Sequence, residues 1–343
     1  MDKVITRACG KLYIAGEFAV VAGRGAIIAP VKKYIEVIMR PADDYYIKNT
    51  NYEENFTKLD LNNNNQDYIY VVKTIKWFLS YLEELNIGLQ FVSIEIHSEL
   101  NYNDKKKFGL GSSAAIVIAL LKALFEFYGL HYNNMALFKA GVLIQGKIAK
   151  ATSFGDLACI AFEKLIYYRK FDNNILNQNL PIIDLLNMDW KGLVIEELNL
   201  NLHFLTVYTN HPANSFSLVE KVFAFNKDKG FKLFLERSEE LVLSLKKNKK
   251  DIKTIINNLD INLRYLNALT KTDLIIPEMD DIKKIISPLK GSMKFSGAGG
   301  GDCVICFFNN STDLNEANKL LVDNGYLVHY YQYHEVEQNE SKK

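Results

Sequence analysis

The chain has 343 residues, more than twice the ~150 of an ordinary domain, which predicts two domains and excludes a single small module. Hydrophobic residues at 48% and charged residues at 24% are the proportions of a folded globular protein and exclude a disordered or fibrous one. With 41 Lys and Arg against 40 Asp and Glu there is no global field to draw in nucleic acid or an anionic membrane, so neither is an expected partner and any anion site must be local.

In chain order, Met1-Asp2-Lys3-Val4 opens into apolar sequence without the basic, apolar and cleavage segments of an export signal, and the expected address is cytoplasmic. Apolar runs over Lys11 to Val21 and Ala26 to Met39, punctuated by Gly16, Gly23 and Gly25, predict strands. Asn62 to Asn65 predicts a solvated loop. From Tyr68, the positions Ile69, Val72, Ile75, Phe78, Leu79 and Leu82 recur at helical steps, and Phe91 to His97 then alternates as a strand. Ala114 to Tyr128 is apolar nearly all round, as expected of a helix in the centre of a domain, and its purely apolar run stops far short of the ~20 residues of a membrane span. A helix over Asn134 to Lys150 and a strand over Leu165 to Phe171 follow.

Asn-rich Asn173 to Asp189 breaks the periodicity and reads either as a linker or as an insertion with a short helix near Ile182 to Leu186. Beyond it the pattern predicts a strand at Leu202 to Tyr208 and helices at Ser215 to Phe225, Phe231 to Lys247 and Ile252 to Leu269. A strand at Cys303 to Phe308, a helix at Asp313 to Asp323 and a strand at Tyr326 to Tyr333 complete it, and the polar Glu335 to Lys343 is expected to fray. Strands with helices on one face suggest an α+β architecture. Four cysteines are too few for a disulfide framework, and Cys303 and Cys306, spaced CxxC inside a strand-like run, read as core thiols.

Four stretches carry potential chemistry. Lys106-Lys107-Phe108-Gly109-Leu110-Gly111-Ser112-Ser113 runs a glycine turn into the buried helix, where backbone N–H groups and the helix N-terminus can cradle a phosphate; the bland alternative is a serine N-cap. It is neither a Walker A loop nor a dinucleotide fingerprint. Ser296 to Asp302 places four glycines in five positions, which suits close approach to a ligand or to another loop. Lys11 and Glu17 stand six apart in strand-like sequence, alone no more than an exposed pair on one face. Ser153-Phe154-Gly155-Asp156 offers a carboxylate on a turn that alone reads as a helix cap rather than a catalytic group.

Gly10 to Val20 (GKLYIAGEFAV), Lys106 to Ala115 (KKFGLGSSAA) and Lys294 to Cys303 (KFSGAGGGDC), in that order, resemble the three motifs of the GHMP kinase superfamily. The chain looks most like the bacterial-type phosphomevalonate kinases within it, on Asp302 after the glycine run, the SFGDLA turn, and the lysines before GLGSS. Mevalonate kinases usually carry His after the motif-one Glu, where this chain has Phe18. Pro212 to Ser215 resembles a PAST-like segment, with Asn214 as a departure.

The resemblance implies a ribosomal protein S5 domain 2-like nucleotide-binding domain over residues 1–185, a ferredoxin-like domain over 186–335 and a polar tail over 336–343. It implies transfer of the ATP γ-phosphoryl group to 5-phosphomevalonate, with Mg²⁺, in the mevalonate route to isoprenoids. By it, Lys11 and Asp156 are catalytic, and Gly109, Leu110, Gly111, Ser112 and Ser113 bind ATP phosphates, one of the serines also holding Mg²⁺. Lys107, Ser153, Ser215 and Ala298 contact the acceptor, and Gly297, Gly299, Gly300 and Gly301 support the phosphate cradle. Mevalonate kinase, another small-molecule kinase of the superfamily, and a non-catalytic sensor are the alternatives.

Overall fold

The computed structural model describes residues 2–62, 68–102, 106–148, 152–247 and 251–333. Most of the expected Asn62 to Asn65 loop and the polar tail lie outside the described residues. The elements begin with β1 (Val4–Ala15), β2 (Gly25–Pro41), β3 (Tyr46–Asn49), β4 (Thr57–Lys58), α1 (Ile69–Glu84) and β5 (Val92–Ser98). There follow β6 (Asn101–Tyr102), β7 (Lys106–Lys107), α2 (Ser112–Phe127), α3 (Asn134–Gln145), α4 (Gly155–Phe162), β8 (Ile166–Arg169), α5 (Ile182–Asn187) and β9 (Val194–Glu197). The remainder is β10 (Leu202–Tyr208), α6 (Ser215–Phe223), α7 (Lys229–Lys246), α8 (Ile252–Thr270) and α9 (Pro277–Ile286), then β11 (Ser292–Ser296), β12 (Cys303–Phe307), α10 (Ser311–Asp323) and β13 (Leu327–Tyr333).

The architecture is α+β, in two compact units whose sequences interleave. One takes the residues up to Lys11, Pro30–Lys164 and Lys170–Leu193; the other takes Leu12–Ala29, Leu165–Arg169 and the chain from Val194 onward. The Asn173 to Asp189 segment therefore folds with the first unit, where it forms α5 as one of its two readings expects.

In the first unit the later part of β2 runs antiparallel to β5, from Ile35 opposite Ser98 to Pro41 opposite Val92, and β3 pairs parallel to β5. The central helix is α2, buried at Ala114, Ala115 and most positions from Val117 to Phe127. Its small residues near the start and large ones later fit its neighbours: Thr6 donates to the Ala119 carbonyl at 2.7 Å, and Phe125 meets Phe78 of α1 edge to face. The predicted Asn134 to Lys150 helix is capped by the Asn133 side chain and ends at Gln145, short of its expected end.

The second unit holds a four-stranded antiparallel sheet in the order β11-β12-β10-β13. Strand alternation sends Leu205, Val207, Val304, Cys306, Met293 and Phe295 to one face, where they pack with Phe231, Phe234, Leu263, Leu266 and Ile282 of the helices. Phe18 and Ala19, more than 180 residues upstream of this sheet, belong to the same core. Side chains of Asp228, Asp251 and Asn310 cap α7, α8 and α10. Cys303 and Cys306 are buried thiols outside any disulfide; three residues apart on a strand, they point to opposite faces. Among the described residues no helix is long and apolar enough to cross a membrane.

Candidate active site

Lys11, on β1, is the last residue of the first unit's opening segment and is 5% exposed. Its backbone N–H donates to the Leu110 carbonyl at 2.9 Å and its ammonium to the Gly109 carbonyl at 3.2 Å, so main chain and side chain both fasten it to the glycine turn. The same ammonium lies 3.4 Å from Asp156 Oδ2, and the Asp156 side chain is 35% exposed. One buried cation thus touches the turn at the head of α2 and the acid in the first turn of α4.

The turn delivers α2 with Gly111 at the cap position, φ 82°, so a glycine and not a serine hydroxyl caps this helix. Ser112 and Ser113 are half-buried in its first turn. The first N–H groups of a helix have no intrahelical partner and carry the positive end of its dipole, which suits an anion. A Cβ on Gly111 would sit 2.8 Å from Lys11 Cε and 3.1 Å from its Cγ, in a backbone conformation that side chains resist. Gly111→Ala is therefore expected to cost about 1–3 kcal/mol of stability and to displace the Lys11 ammonium. Thermal unfolding and turnover measured together check this, and a variant as stable and active as the parent would break the account.

On the acid side, Ser153 is buried and its Oγ accepts the Gly155 N–H at 3.2 Å, fixing the entry to α4. The SFGD turn thus opens a helix, and Asp156 stands on its first turn. Lys107 lies on β7, opposite Asn101, and its side chain is outside what the structure describes.

The remaining site candidates belong to the second unit. Gly299, Gly300 and Gly301 pack on their own chain: a Cβ there would meet the Leu274 carbonyl at 2.7 Å, Leu218 Cδ1 at 2.7 Å and, closer still, the His211 carbonyl. Gly297 faces open space, and Ala298 is half-buried against the core. Three of the loop's glycines thus serve loop-on-loop packing, one of the two uses the sequence allows.

Asp302, φ 56°, fastens the facing segment. Its N–H donates to the His211 carbonyl at 2.7 Å, its carbonyl accepts from Thr209 N–H at 3.0 Å, and its Oδ1 accepts from Ala213 N–H at 3.2 Å. Ser215 is exposed at the start of α6, which Asn214 caps by accepting the Ser217 N–H.

Glu17 corrects the sequence reading. The exposed Lys11 and Glu17 pair does not form: β1 ends at Ala15, Gly16 turns the chain, and period-two alternation never reaches Glu17. Glu17 is 3% exposed and pairs with Lys294 of β11, itself 0% exposed, whose ammonium also donates to the Phe295 carbonyl at 2.7 Å. Burial pushes the Glu17 carboxyl above its usual range; the Lys294 ammonium and the nearby Gly297 N–H pull the other way without cancelling it. Ser296 Oγ accepts the Tyr13 N–H at 2.8 Å beside it. Sequence reasoning missed Lys294; the available signal was Ser292, Lys294 and Ser296 alternating with Met293 and Phe295 just before the glycine run.

Comparison with known proteins matches residues 70–164 to the model of the GHMP kinases N terminal domain and 241–322 to that of the GHMP kinases C terminal domain. A mevalonate kinase of Methanocaldococcus jannaschii is 30% identical, covering 92% of this chain and 96% of its own. A phosphomevalonate kinase of Streptomyces sp. is 25% identical, over 89% and 90%. The solved structure of Streptococcus pneumoniae phosphomevalonate kinase in complex with phosphomevalonate and AMPPNP superposes with a TM-score of 0.84 at 28% identity, over 96% of this chain and 99% of that one.

Proposed function

The chain belongs to the GHMP kinase family, and from that premise we propose that it transfers the γ-phosphoryl group of ATP to 5-phosphomevalonate, giving 5-diphosphomevalonate and ADP. The observation that carries this reading is the Lys11 ammonium held between the Gly109 to Gly111 turn and Asp156. The acceptor rests on the likeness to the pneumococcal enzyme and on Phe18, Asp302 and the SFGD turn.

Phosphoryl transfer passes through a loose transition state, so positioning and charge neutralisation supply most of the catalysis. In this reading ATP phosphates lie on Gly109, Leu110, Gly111, Ser112 and Ser113. The acceptor phosphate, with a second pKa near ~6, is largely a dianion at neutral pH and needs no strong base. One of its oxygens bonds to Pγ as the bond from Pγ to the bridging oxygen breaks, and ADP leaves. Lys11 offsets the charge on the transferred group, Asp156 orients Lys11 and the acceptor, and Ser153, Ser215, Ala298 and Lys107 hold the acceptor. Gly297, Gly299, Gly300 and Gly301 form the supporting loop.

The half-buried Ser112 and Ser113 offer hard oxygen donors at a helix N-terminus, which fits Mg²⁺, an ion that takes few protein ligands and completes its shell from substrate phosphates. Either serine would hold it, and when bound it would neutralise phosphate charge.

The test is ADP release from Mg²⁺-ATP with phosphomevalonate and mevalonate offered in parallel and a no-acceptor control. Turnover with phosphomevalonate alone supports the reading. Turnover with mevalonate alone supports the second one, which the 30% identity to the archaeal mevalonate kinase favours. Lys107→Met is expected to raise the KM for phosphomevalonate at least tenfold while leaving that for ATP within about twofold, as loss of a charge-assisted contact to one substrate would. Equal small effects on both would argue against a contact between Lys107 and the acceptor.

A further inference from the structure

Lys170 is 7% exposed and follows directly on β8, yet no carboxylate among the described residues neutralises it. Its ammonium donates to the Thr152 carbonyl at 2.7 Å and stands 5.1 Å above the ring of Phe154. Phe171, its neighbour in sequence, stacks on the same ring at 5.7 Å with an interplanar angle of 22°. Both residues flanking Ser153 are thus gripped by one two-residue segment.

The grip falls where the backbone needs it. Phe154 is a buried non-glycine residue at φ 59°, a conformation that persists only when its surroundings enforce it. It is also the cap residue of α4, one residue before the helix whose first turn carries Asp156. A rotation at Phe154 would shift the Ser153 hydroxyl and the Asp156 carboxylate relative to each other and leave the Gly109 to Gly111 turn in place. Burial alone pushes the Lys170 ammonium down to about 8, so this side chain sits where a charge is costly. An apolar residue would fill the space at lower cost but could not hold the Thr152 carbonyl.

We propose that Lys170 is a positioning residue: through Thr152 and Phe154 it sets the acid turn, and thereby the placement of Ser153 and Asp156. The kinetic part of this inference rests on the proposed phosphotransfer; the structural part does not.

The experiment uses the full chain carrying Lys170→Met, with Lys170→Gln beside it, since an amide keeps a donor for Thr152 without the charge. Hydrogen exchange read by mass spectrometry should quicken at least tenfold in peptides covering residues 153–157 of the Met variant and stay within twofold in those covering the start of α2. With whichever acceptor the parent protein turns over, kcat should fall at least tenfold and the acceptor KM rise, with the ATP KM within twofold. Gln should recover most of both.

Unchanged exchange at 153–157, or loosening spread evenly over the chain, overturns the proposal. So does a parallel loss in kcat with both KM values unmoved, which marks a smaller folded fraction. If the Met variant does not fold, Gln against the parent decides by the same exchange and KM readouts, here as a smaller shift of the same sign. If no acceptor supports turnover in the parent, the functional reading fails on its own and the exchange result still decides on Lys170.

Discussion

Lys11→Met is expected to lower kcat by about 10²–10³-fold while leaving the protein folded, the loss typical of one donor aimed at developing charge. Methionine fills nearly the same volume, so the buried stem of Lys11 is replaced and its ammonium is not. The partner left behind, Asp156, is 35% exposed and can be solvated, which keeps the stability penalty small. Asp156→Asn should lower kcat by a comparable factor, and the double variant should lose little beyond either single one, because the two groups act as a unit. The pH profile separates two roles for Asp156. In the orienting role the loss persists at pH 8, where a phosphate acceptor is fully dianionic; recovery there would make Asp156 a general base. Additive losses in the double variant would show that the two residues work independently.

The second large effect falls on stability. Glu17 and Lys294 are buried against each other, so removing either leaves a charge with no counterion, and Glu17→Leu or Lys294→Met should each cost about 3–5 kcal/mol. The double variant Glu17→Leu with Lys294→Met should lose far less than the sum, since removing both charges also removes the cost of burying them. Chemical denaturation of the four proteins measures the cycle, and additive penalties would contradict a coupled pair.

Proton linkage gives a further sign. With the folded Glu17 pKa raised, the folded chain holds a proton that the unfolded chain has released above ~4.3, so this stabilising contribution is complete at acid pH and is lost as pH rises through the folded pKa. The penalty of Lys294→Met should accordingly shrink as the pH is lowered toward 5, because a protonated Glu17 tolerates burial alone.

Strong periodicity made much of the fold legible. The apolar steps of α1, the all-round apolar face of α2 and the alternation of β5, β10 and β12 each state one element type without competition. The helix α9 is not among the predicted elements, although Pro277 in its first turn followed by Met279, Ile282 and Ile286 is a readable signal. The candidate site was legible wherever glycines or polar residues interrupt apolar sequence, as at Gly109 to Ser113 and Ser153 to Asp156. What spacing could not convey was partnership. Lys11 meets an acid 145 positions away and Glu17 a lysine 277 positions away, and a buried charge is spelled with the same letter as a solvated one. Lys170 is unreadable for the same reason, just past the end of a short strand with nothing beside it to mark it.

The interleaving of the two units also sets a schedule for synthesis. Once Leu193 has emerged from the ribosome, every segment of the first unit is available to fold. Phe18 and Ala19 must wait for β10, β11 and β12, a delay on the order of ten seconds or more at ordinary translation rates. During that interval an apolar stretch containing Phe18, Val20 and Val21 has no core to enter. Glu17, with Lys294 not yet made, is then a solvated carboxylate inside the stretch, a gatekeeper against association with other nascent chains. The residue that ends as half of a buried ion pair thus begins by keeping its own segment soluble.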